Sequence, residues 1–330
     1  MKRLNAITDV PGIEVGHASD FKALTGCTVV LFGEGAIGGV DIRGAATGTR
    51  QIDALNPIHI VDKIHALLLT GGSSFGLDAA GGVMTYLEER GKGFDVVTTK
   101  VPIVPTAVIF DLGIGNFRVR PDHRMGYEAC LNASKKVEEG SAGVGVGATV
   151  GKLFGIDRAM KGGVGTSSVQ GPKGLIVGAL VAVNAFGDVI DPNSNQILAG
   201  ARKSKKSLQL ANSSKWMKKG VTRKEFGVVN ASDPSAFNTT LGIIATNANL
   251  TKKEIHQVAQ IAHSGLAKVI SPLHTTFDGD LVFAISYGKK KGDVNTIGLL
   301  GEAALIESVQ RAIIKADGFG IIPAYKDLAG

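Results

Sequence analysis

The stretch NTTLGIIATNA, residues 238–248, opens with Asn238, Thr239 and Thr240 and continues as an apolar, β-branched run. Such a run predicts a buried strand. Asn and Thr side chains are common in turns, where their oxygens bond nearby backbone groups. That ordinary interpretation fits most Asn-Thr pairs, so any special role for these three residues depends on the rest of the chain.

The residues that follow this strand predict two helices and a second strand. Thr251 and Glu254 form a capping-box pattern before a helix with Ile255, Val258, Ala259, Ala262 and Leu266 on one face. The run at 280–288 predicts a strand, and a long helix should begin near residue 295 and stop at Gly318.

In the part of the chain before residue 238, strand-like runs alternate with Gly-rich turns. Strands are predicted within 27–32, 65–70, 94–99 and 101–110, and two more within 174–190; residues 76–91 predict a helix that ends at Gly91. Strands without regular alternation with helices indicate an α+β layered sandwich. We expect a single domain over residues 1–330, without an internal repeat.

Composition predicts a protein of the reducing cytoplasm. Hydrophobic residues make up 44% of the 330, which is ample for a large core, and the 45 glycines are spread among apolar runs, which indicates close backbone packing. The longest apolar run, 174–183, is too short to span a membrane, and the N-terminus has no apolar signal-peptide region. Cys27 and Cys130 offer no disulfide framework and are expected to be small core residues.

The net charge of +7 is concentrated in one segment. Residues 202–224 carry nine Lys or Arg and no acid, so the rest of the chain is slightly negative. With a single aromatic residue, Trp216, such a segment is more often a solvated loop than a binding surface. We therefore expect an exposed basic loop over residues 200–234 and no binding to nucleic acid.

Two glycine-rich segments resemble ligand-binding loops. Residues 143–152 fail the phosphate-loop pattern because Val146 and Leu153 stand where Gly and Ser or Thr are required, so a close-packed strand and turn is favoured. Lys152 is of interest as a lone Lys at the end of an apolar run. Gly71, Gly72, Ser73 and Ser74 lie between a predicted strand and helix, where free amides could bind an anion or a carbonyl group; a Ser acting as an ordinary N-cap is the more common interpretation.

Asp278 and Asp280 stand two residues apart before a predicted strand. Side chains two apart on a strand point to the same side, so both carboxylates could face one site. A turn rich in Asp and Gly is the alternative. The seven His residues are scattered without ligand spacing, so no metal site is predicted.

Eight segments taken together resemble the DmpA-type family of N-terminal-nucleophile aminopeptidases and amide hydrolases, which includes β-aminopeptidases and nylon-oligomer hydrolases. They occur in order along the chain, and they are ITDVPGIEVGHAS (7–19), GGVDIRGAATGTR (38–50), LLLTGGSSFGLDAAGGVMTYLEERG (67–91), GVGVGATVGK (143–152), GGVGTSSV (162–169), VAVNAFGDV (181–189), NTTLGIIATNA (238–248) and FDGDLVFA (277–284). The resemblance implies a four-layer αββα sandwich of the DmpA/ornithine acetyltransferase type.

The resemblance also implies self-cleavage between Asn238 and Thr239, which would give chains 1–238 and 239–330. Thr239 would then supply both the nucleophilic hydroxyl and, through its new α-amine, the base. Asp278 and Asp280 would orient Thr239, and Asn184 would be the oxyanion-hole Asn. Lys152 matches a site Lys of the hydrolase branch.

For the substrate site, the resemblance points to Phe110, and the local pattern adds Gly71, Gly72 and Ser73 as candidate substrate-binding residues. Phe110 stands where several family members carry Tyr. The expected reaction needs no cofactor and cleaves small amides or peptides with a free amino end, in a homo-oligomer of processed αβ units. The alternatives are an acetyltransferase of the ornithine acetyltransferase type, whose junction usually reads Ala-Thr-Met-Leu, and an uncleaved binding protein.

Overall fold

The computed structural model describes residues 3–222 and 238–329. The strands are β1 Ile13–Asp20, β2 Thr25–Ile42, β3 Thr49–Arg50, β4 Ile64–Thr70, β5 Phe94–Asp95, β6 Lys100–Val101, β7 Thr106–Val108, β8 Thr149–Val150, β9 Met160–Lys161, β10 Gly163–Gln170, β11 Ile176–Asn184, β12 Asp188–Ile190, β13 Ile197–Ala199, β14 Thr239–Ala248, β15 Ile270–Ser271 and β16 Leu281–Lys290. The α-helices are α1 Ala79–Glu88, α2 His123–Leu131, α3 Ser213–Met217, α4 Lys252–His263, α5 Leu266–Val269 and α6 Val294–Ile314.

The long strand β2 belongs to two sheets. Its first half pairs with β1 and β4, and β4 continues through β7 to β3. Its second half pairs with β16, which is followed by β14, β11 and β10. Of these neighbours, β14 and β16 run parallel and the strands on either side of them are antiparallel.

Three apolar cores separate four layers. The middle core lies between the sheets and takes Val30 and Leu67 from one and Ile243 and Phe283 from the other. A second core packs the outer face of the β4 sheet against α1 and α2. The third packs the outer face of the β14 sheet against α4 and α6. The predicted αββα sandwich is therefore confirmed.

Strand β14 lies in the centre of its sheet, and all ten of its residues are buried. Leu241, Ile243 and Ala245 belong to the core between the sheets, whereas Ile244 packs towards the helices. Because side chains alternate along a strand, Thr239 lies on the inner face with Leu241, and Thr240 lies on the helix side.

Most predicted elements occur, with corrections at their ends. The capping box of Thr251 and Glu254 is present at the start of α4, and Cys27 and Cys130 are buried free thiols as expected. Helix α6 ends at Ile314, before Gly318, and β7 is a three-residue strand within the longer run predicted there. Among the described residues, no helix is both long and apolar enough to cross a membrane.

The start of the basic segment is built into the fold. Arg202 is buried, and its guanidinium donates to the carbonyl oxygens of Asp157 and Lys205 at 2.6 Å each. The amide of Ser213, the first residue of α3, donates to Asp188. The prediction of a loop with little to bury is therefore wrong near these anchors, although Lys203, Lys205 and Lys206 are exposed as expected. Residues 223–234 of the predicted loop lie outside the described residues.

Candidate active site

The residue pair Asn238–Thr239 lies where β14 enters the sheet. Thr239 is 4% exposed and stands opposite Asn184 of β11, while Asn238 forms a parallel bridge with Asp278. The Thr239 hydroxyl Oγ1 lies 2.5 Å from the carbonyl oxygen of Asn238. The hydroxyl thus lies directly against the peptide group that precedes it.

The Asn238 carbonyl oxygen has a second donor, the amide of Gly279 at 2.7 Å. A side chain at position 279 would stand 2.6 Å from the carbonyl oxygen of Ala46 and 2.9 Å from Thr239 Oγ1. Glycine at this position therefore lets a backbone amide approach the peptide bond before Thr239. An amide aimed at a carbonyl oxygen is the arrangement that stabilises negative charge developing on that oxygen.

Asp278 and Asp280 lie on either side of this amide and bond different partners. Asp278 is 1% exposed; its Oδ1 accepts from the Phe186 amide at 3.2 Å, and its Oδ2 from the Thr275 hydroxyl at 2.5 Å. Burial, and secondly the negative charge of Asp280, raise the pKa of Asp278 above its usual value. A buried carboxyl group with a raised pKa can exchange a proton at neutral pH.

Asp280 is fully buried and connects β14 to a histidine. Its Oδ1 accepts from the Thr240 amide at 2.6 Å, and its Oδ2 lies 2.9 Å from His274 Nδ1. Asp280 therefore holds the strand at the residue that follows Thr239. The sequence analysis missed His274, which stands only four residues before Asp278 in the same loop.

Asn184 and Lys152, far apart in the sequence, form one buried group. Lys152 Nζ donates to Asn184 Oδ1 at 2.7 Å and to the Asn184 carbonyl oxygen at 2.9 Å. The Asn184 side-chain amide Nδ2 donates to the Phe110 carbonyl oxygen at 3.1 Å. An amide nitrogen carries two hydrogens, and Lys152 fixes the orientation of this side chain, which is fully buried and is not one of the residues that line the cavity described next.

A cavity of about 670 Å³ includes Thr239 in its wall. The wall also contains residues from the loop after β2, the turn after β4, the end of β7 and the loop before β16: Ala45, Ala46, Thr47, Gly48, Ser73, Ser74, Val108, Phe110, Thr276 and Phe277. This size suits a small organic substrate. Thr239, Phe110 and Ser73, which the sequence analysis proposed, thus line one cavity, whereas Gly71 and Gly72 do not contribute to its wall.

The amides of the turn after β4 are already used inside the protein. Gly71 donates to the Gly26 carbonyl oxygen at 2.9 Å, Gly72 to Asp111 Oδ1 at 2.7 Å, and Ser73 to the Ile109 carbonyl oxygen at 3.0 Å. The idea that these amides bind a ligand is therefore wrong. The N-cap interpretation is wrong too, because Ser73 lies inside a 3₁₀ helix, Ser73–Asp78, and neither that helix nor α1 has a side-chain cap.

Asp111, which the sequence analysis also missed, holds this turn by accepting a hydrogen bond from the Gly72 amide. Burial raises its pKa to about 6, against hydrogen bonds from the Gly72 amide and the Thr25 hydroxyl that lower it. Nearby, burial lowers the pKa of Lys161 to about 7. Phe110, the residue before Asp111, was a candidate through the resemblance. Nothing in the local sequence pattern distinguishes Asp111 itself from a turn residue.

No group of three or more His, Cys, Asp or Glu suited to a metal ion occurs in the described ranges.

Comparisons with known proteins identify the family. The family model described as peptidase family S58 matches residues 5–317. An uncharacterized aminopeptidase of Mycobacterium tuberculosis is 38% identical, over 98% of this chain and 98% of its own. A 6-aminohexanoate-oligomer endohydrolase of Kocuria sp. is 31% identical, over 84% of this chain and 74% of its own.

Two solved structures show the same fold. A Burkholderia sp. β-aminopeptidase superimposes with a TM-score of 0.68 at 20% identity, over 99% of this chain and 92% of that one. The L-aminopeptidase D-Ala-esterase/amidase of Ochrobactrum anthropi, described as a variant of the Ntn hydrolase fold, gives 0.66 at 17% identity, over 95% and 86%. The chain therefore belongs to peptidase family S58 and is an amide hydrolase with the Ntn hydrolase fold.

Proposed function

We propose that this chain cuts itself between Asn238 and Thr239 and then hydrolyses small amides with Thr239 as its N-terminal nucleophile. The observation that carries the proposal is the junction itself, where the Thr239 hydroxyl lies against the Asn238 carbonyl group and the Gly279 amide donates to the same oxygen at 2.7 Å. Attacking group, peptide bond and charge-stabilising donor are thus assembled in the uncut chain.

In the self-cleavage step, Thr239 Oγ1 adds to the Asn238 carbonyl carbon and the C–N bond breaks. The hydroxyl proton moves to the departing nitrogen, which leaves an ester between Asn238 and Thr239. Water then hydrolyses the ester to give the Asn238 carboxylate and the free Thr239. Before the cut the Thr239 nitrogen is a non-basic amide, so another group must carry the proton. Asp278, which bridges Asn238 and has a raised pKa, is the candidate carrier.

In the hydrolysis step, the new α-amine of Thr239 takes the hydroxyl proton, because an unperturbed α-amine has a pKa of about 7.7–8.0. The hydroxyl oxygen attacks the substrate carbonyl carbon and forms an acyl-enzyme, which water hydrolyses. The second hydrogen of Asn184 Nδ2 would stabilise the oxyanion, with Lys152 holding that side chain in place. Neither step calls for a cofactor.

For the substrate, we propose small amides or peptides with a free amino end. The cavity beside Thr239 has the volume for them, and two of the relatives are described as an aminopeptidase and an endohydrolase of 6-aminohexanoate oligomers. Phe110, which lines the cavity, offers no side-chain hydrogen bond at a position where several family members carry Tyr.

The test is a substrate screen on the purified protein. p-Nitroanilides of α- and β-amino acids, short peptides and 6-aminohexanoate oligomers are compared with their N-acetylated forms. We expect hydrolysis of at least one free-amine compound and a marked loss of rate on its acetylation. Equal rates for the free and acetylated forms would reject the requirement for an amino end. Acetyl transfer to an amine acceptor in place of hydrolysis would favour the acetyltransferase alternative.

A further inference from the structure

Two histidines lie behind the cleavage junction, on the helix side of β14. His274 comes from the loop between β15 and β16, and His263 is the last residue of α4. Their ring centroids are 4.8 Å apart, with the planes at 83°. His263 is fully buried.

Each ring is fixed to a carboxylate through its Nδ1 atom. His274 Nδ1 lies 2.9 Å from Asp280 Oδ2, and His263 Nδ1 lies 2.8 Å from Asp41 Oδ2. Because an ionised carboxylate only accepts hydrogen bonds, we assign a hydrogen to both Nδ1 atoms. The Nε2 atoms of both rings are buried and have no hydrogen-bond partner among the described residues. The four side chains form a row: carboxylate, imidazole, imidazole, carboxylate.

The groups around the row keep Asp41, at its outer end, ionised. Arg43 Nε bonds Asp41 Oδ2 at 2.7 Å. Although burial alone raises the pKa of Asp41, hydrogen bonds from His263 and Arg43 lower it overall. Burial in turn lowers the pKa of His263, against Asp41, which raises it. At the inner end, the carboxyl group beside Asp280 is that of Asp278, whose pKa is raised by burial and secondly by the charge of Asp280.

Asp280 connects the row to the nucleophile. While Oδ2 is held by His274, Oδ1 accepts from the Thr240 amide at 2.6 Å. A change in the orientation of the Asp280 carboxylate would therefore move the backbone of β14 at Thr240, the residue next to Thr239. A misplacement of about 1 Å from a distant mutation can cost about 10²-fold in rate.

The backbone at His274 supports a positional role. Its φ is +54°, in the left-handed region that non-glycine residues adopt uncommonly, Asn, Asp and His most often among them. In that conformation the His274 amide also reaches Asp280 Oδ2, at 3.2 Å. Such strain persists where the surroundings determine the conformation, commonly at functional sites.

We propose that His274 is a positioning residue of the active site: backed by His263 and Asp41, it holds Asp280 and thereby places Thr239 for self-cleavage. This inference rests on the proposed function, since it assigns His274 a part in that reaction. It commits to the hydrogen bond from His274 Nδ1, rather than the size of the ring, as the feature that matters.

The test compares two substitutions that the left-handed backbone accepts. His274→Gly removes the side chain without backbone strain, and His274→Asn keeps a donor close to the Nδ1 position. The cleavage rate is followed by pulse labelling in cell-free translation, which needs no substrate, and thermal unfolding is measured in parallel. His17→Asn is the matched control, because His17 is a half-buried histidine in β1 whose Nε2 is also buried without a hydrogen-bond partner among the described residues.

We expect His274→Gly to slow cleavage about 10²-fold. His274→Asn should restore most of the rate, and His17→Asn should cleave like the wild type. Cleavage of His274→Gly within about threefold of wild type would overturn the inference, as would equal losses in the Gly and Asn variants or in the His17 control. If His274→Gly does not fold, His274→Asp, which matches Asn in size but cannot donate when ionised, replaces it with the same expected loss. A wild-type chain that never cleaves would instead reject the proposed function.

Discussion

Two segments that each contribute to the cavity wall differ in how their polar groups are used. At the junction, residues 238–240 with Asp278–Asp280, the hydroxyl of Thr239 and the amide of Gly279 meet at one carbonyl oxygen. At the turn, residues 71–74, the first three amides donate hydrogen bonds to acceptors within the protein. The difference teaches that proximity to a cavity does not make a glycine-rich turn reactive. We assign the chemistry to the junction and a shaping role to the turn.

The largest expected effect is loss of the Thr239 hydroxyl. Thr239→Ala should abolish both self-cleavage and hydrolysis, since it removes the nucleophile of each step. Thr239→Ser keeps a hydroxyl and an α-amine, so some cleavage and turnover should remain. Electrophoresis under denaturing conditions and an amide hydrolysis assay measure the two activities. Cleavage of the Ala variant would move the nucleophile away from the junction.

Asn184→Ala, measured on processed protein, should lower kcat by roughly 10²–10³-fold with little change in KM, the cost of a missing oxyanion donor. Asn247→Ala is the matched control at the other end of β14, where a mostly buried Asn bonds the backbone of Ile176 and Gly174. The control should lower stability and leave kcat near wild type. A near-wild-type kcat in Asn184→Ala would assign that Asn to structure alone.

A buried carboxyl group lies beside each of these two segments, Asp278 at the junction and Asp111 at the turn, so one matched pair of variants separates their roles. Asp278→Asn removes the proposed proton carrier and should slow self-cleavage about 10²-fold, the lower end for general acid–base groups. Asp111→Asn keeps an acceptor for the Gly72 amide and should leave cleavage within about threefold of wild type. Pulse labelling gives both rates, and equal rates in the two variants would remove the distinction between junction and turn.

The same pair predicts a common dependence of stability on pH. Burial raises the folded-state pKa of both groups above the ordinary value of 3.8, to about 6 for Asp111. A raised carboxyl pKa contributes stability that is present at low pH and lost as pH rises through the folded value. Each Asn variant should therefore gain in Tm relative to the wild type between about pH 4 and about pH 7. A constant difference in Tm across that range would contradict the raised pKa values.

The smallest effect is expected at the turn. Ser74→Ala removes a hydroxyl from the cavity wall but no group from the junction. A neutral hydrogen bond is worth about 0.5–1.5 kcal/mol, so kcat/KM should fall by about tenfold at most and cleavage should be unchanged. A loss as large as that of Asn184→Ala would place catalytic function in the turn.

Local patterns in the sequence predicted the elements around residues 238–280 better than the long-range contacts that support them. The apolar, β-branched run of β14, the capping box of α4 and the spacing of Asp278 and Asp280 are short-range signals, and the structure contains each of them. The row behind the junction joins positions 41, 263, 274 and 280, which only the folded chain brings together. Its histidines have no ligand spacing that a reading of the sequence could detect.

The prediction for the basic segment was wrong near Arg202 for a related reason. Charge density predicts solvation, yet Arg202 is buried because carbonyl oxygens distant in sequence accept from its guanidinium. At the turn Gly71–Ser73 the pattern predicted free amides, but these amides donate within the protein. Their acceptors come from β2, from Ile109 at the end of the β7 run and from Asp111. In both cases some of the partners are distant in the sequence, as Asp157 is from Arg202, and leave no mark on the local pattern.

The most direct test of the central claim is the N-terminal sequence and mass of the purified protein's chains. Cleavage before Thr239 predicts a chain of 92 residues, from 239 to 330, that begins Thr-Thr-Leu-Gly, together with a chain of residues 1–238. Incubation after purification should complete any partial cleavage, and Thr239→Ala should give only the full chain. A wild-type protein that stays at 330 residues under all conditions, or whose small chain begins at another residue, would contradict Thr239 as an N-terminal nucleophile.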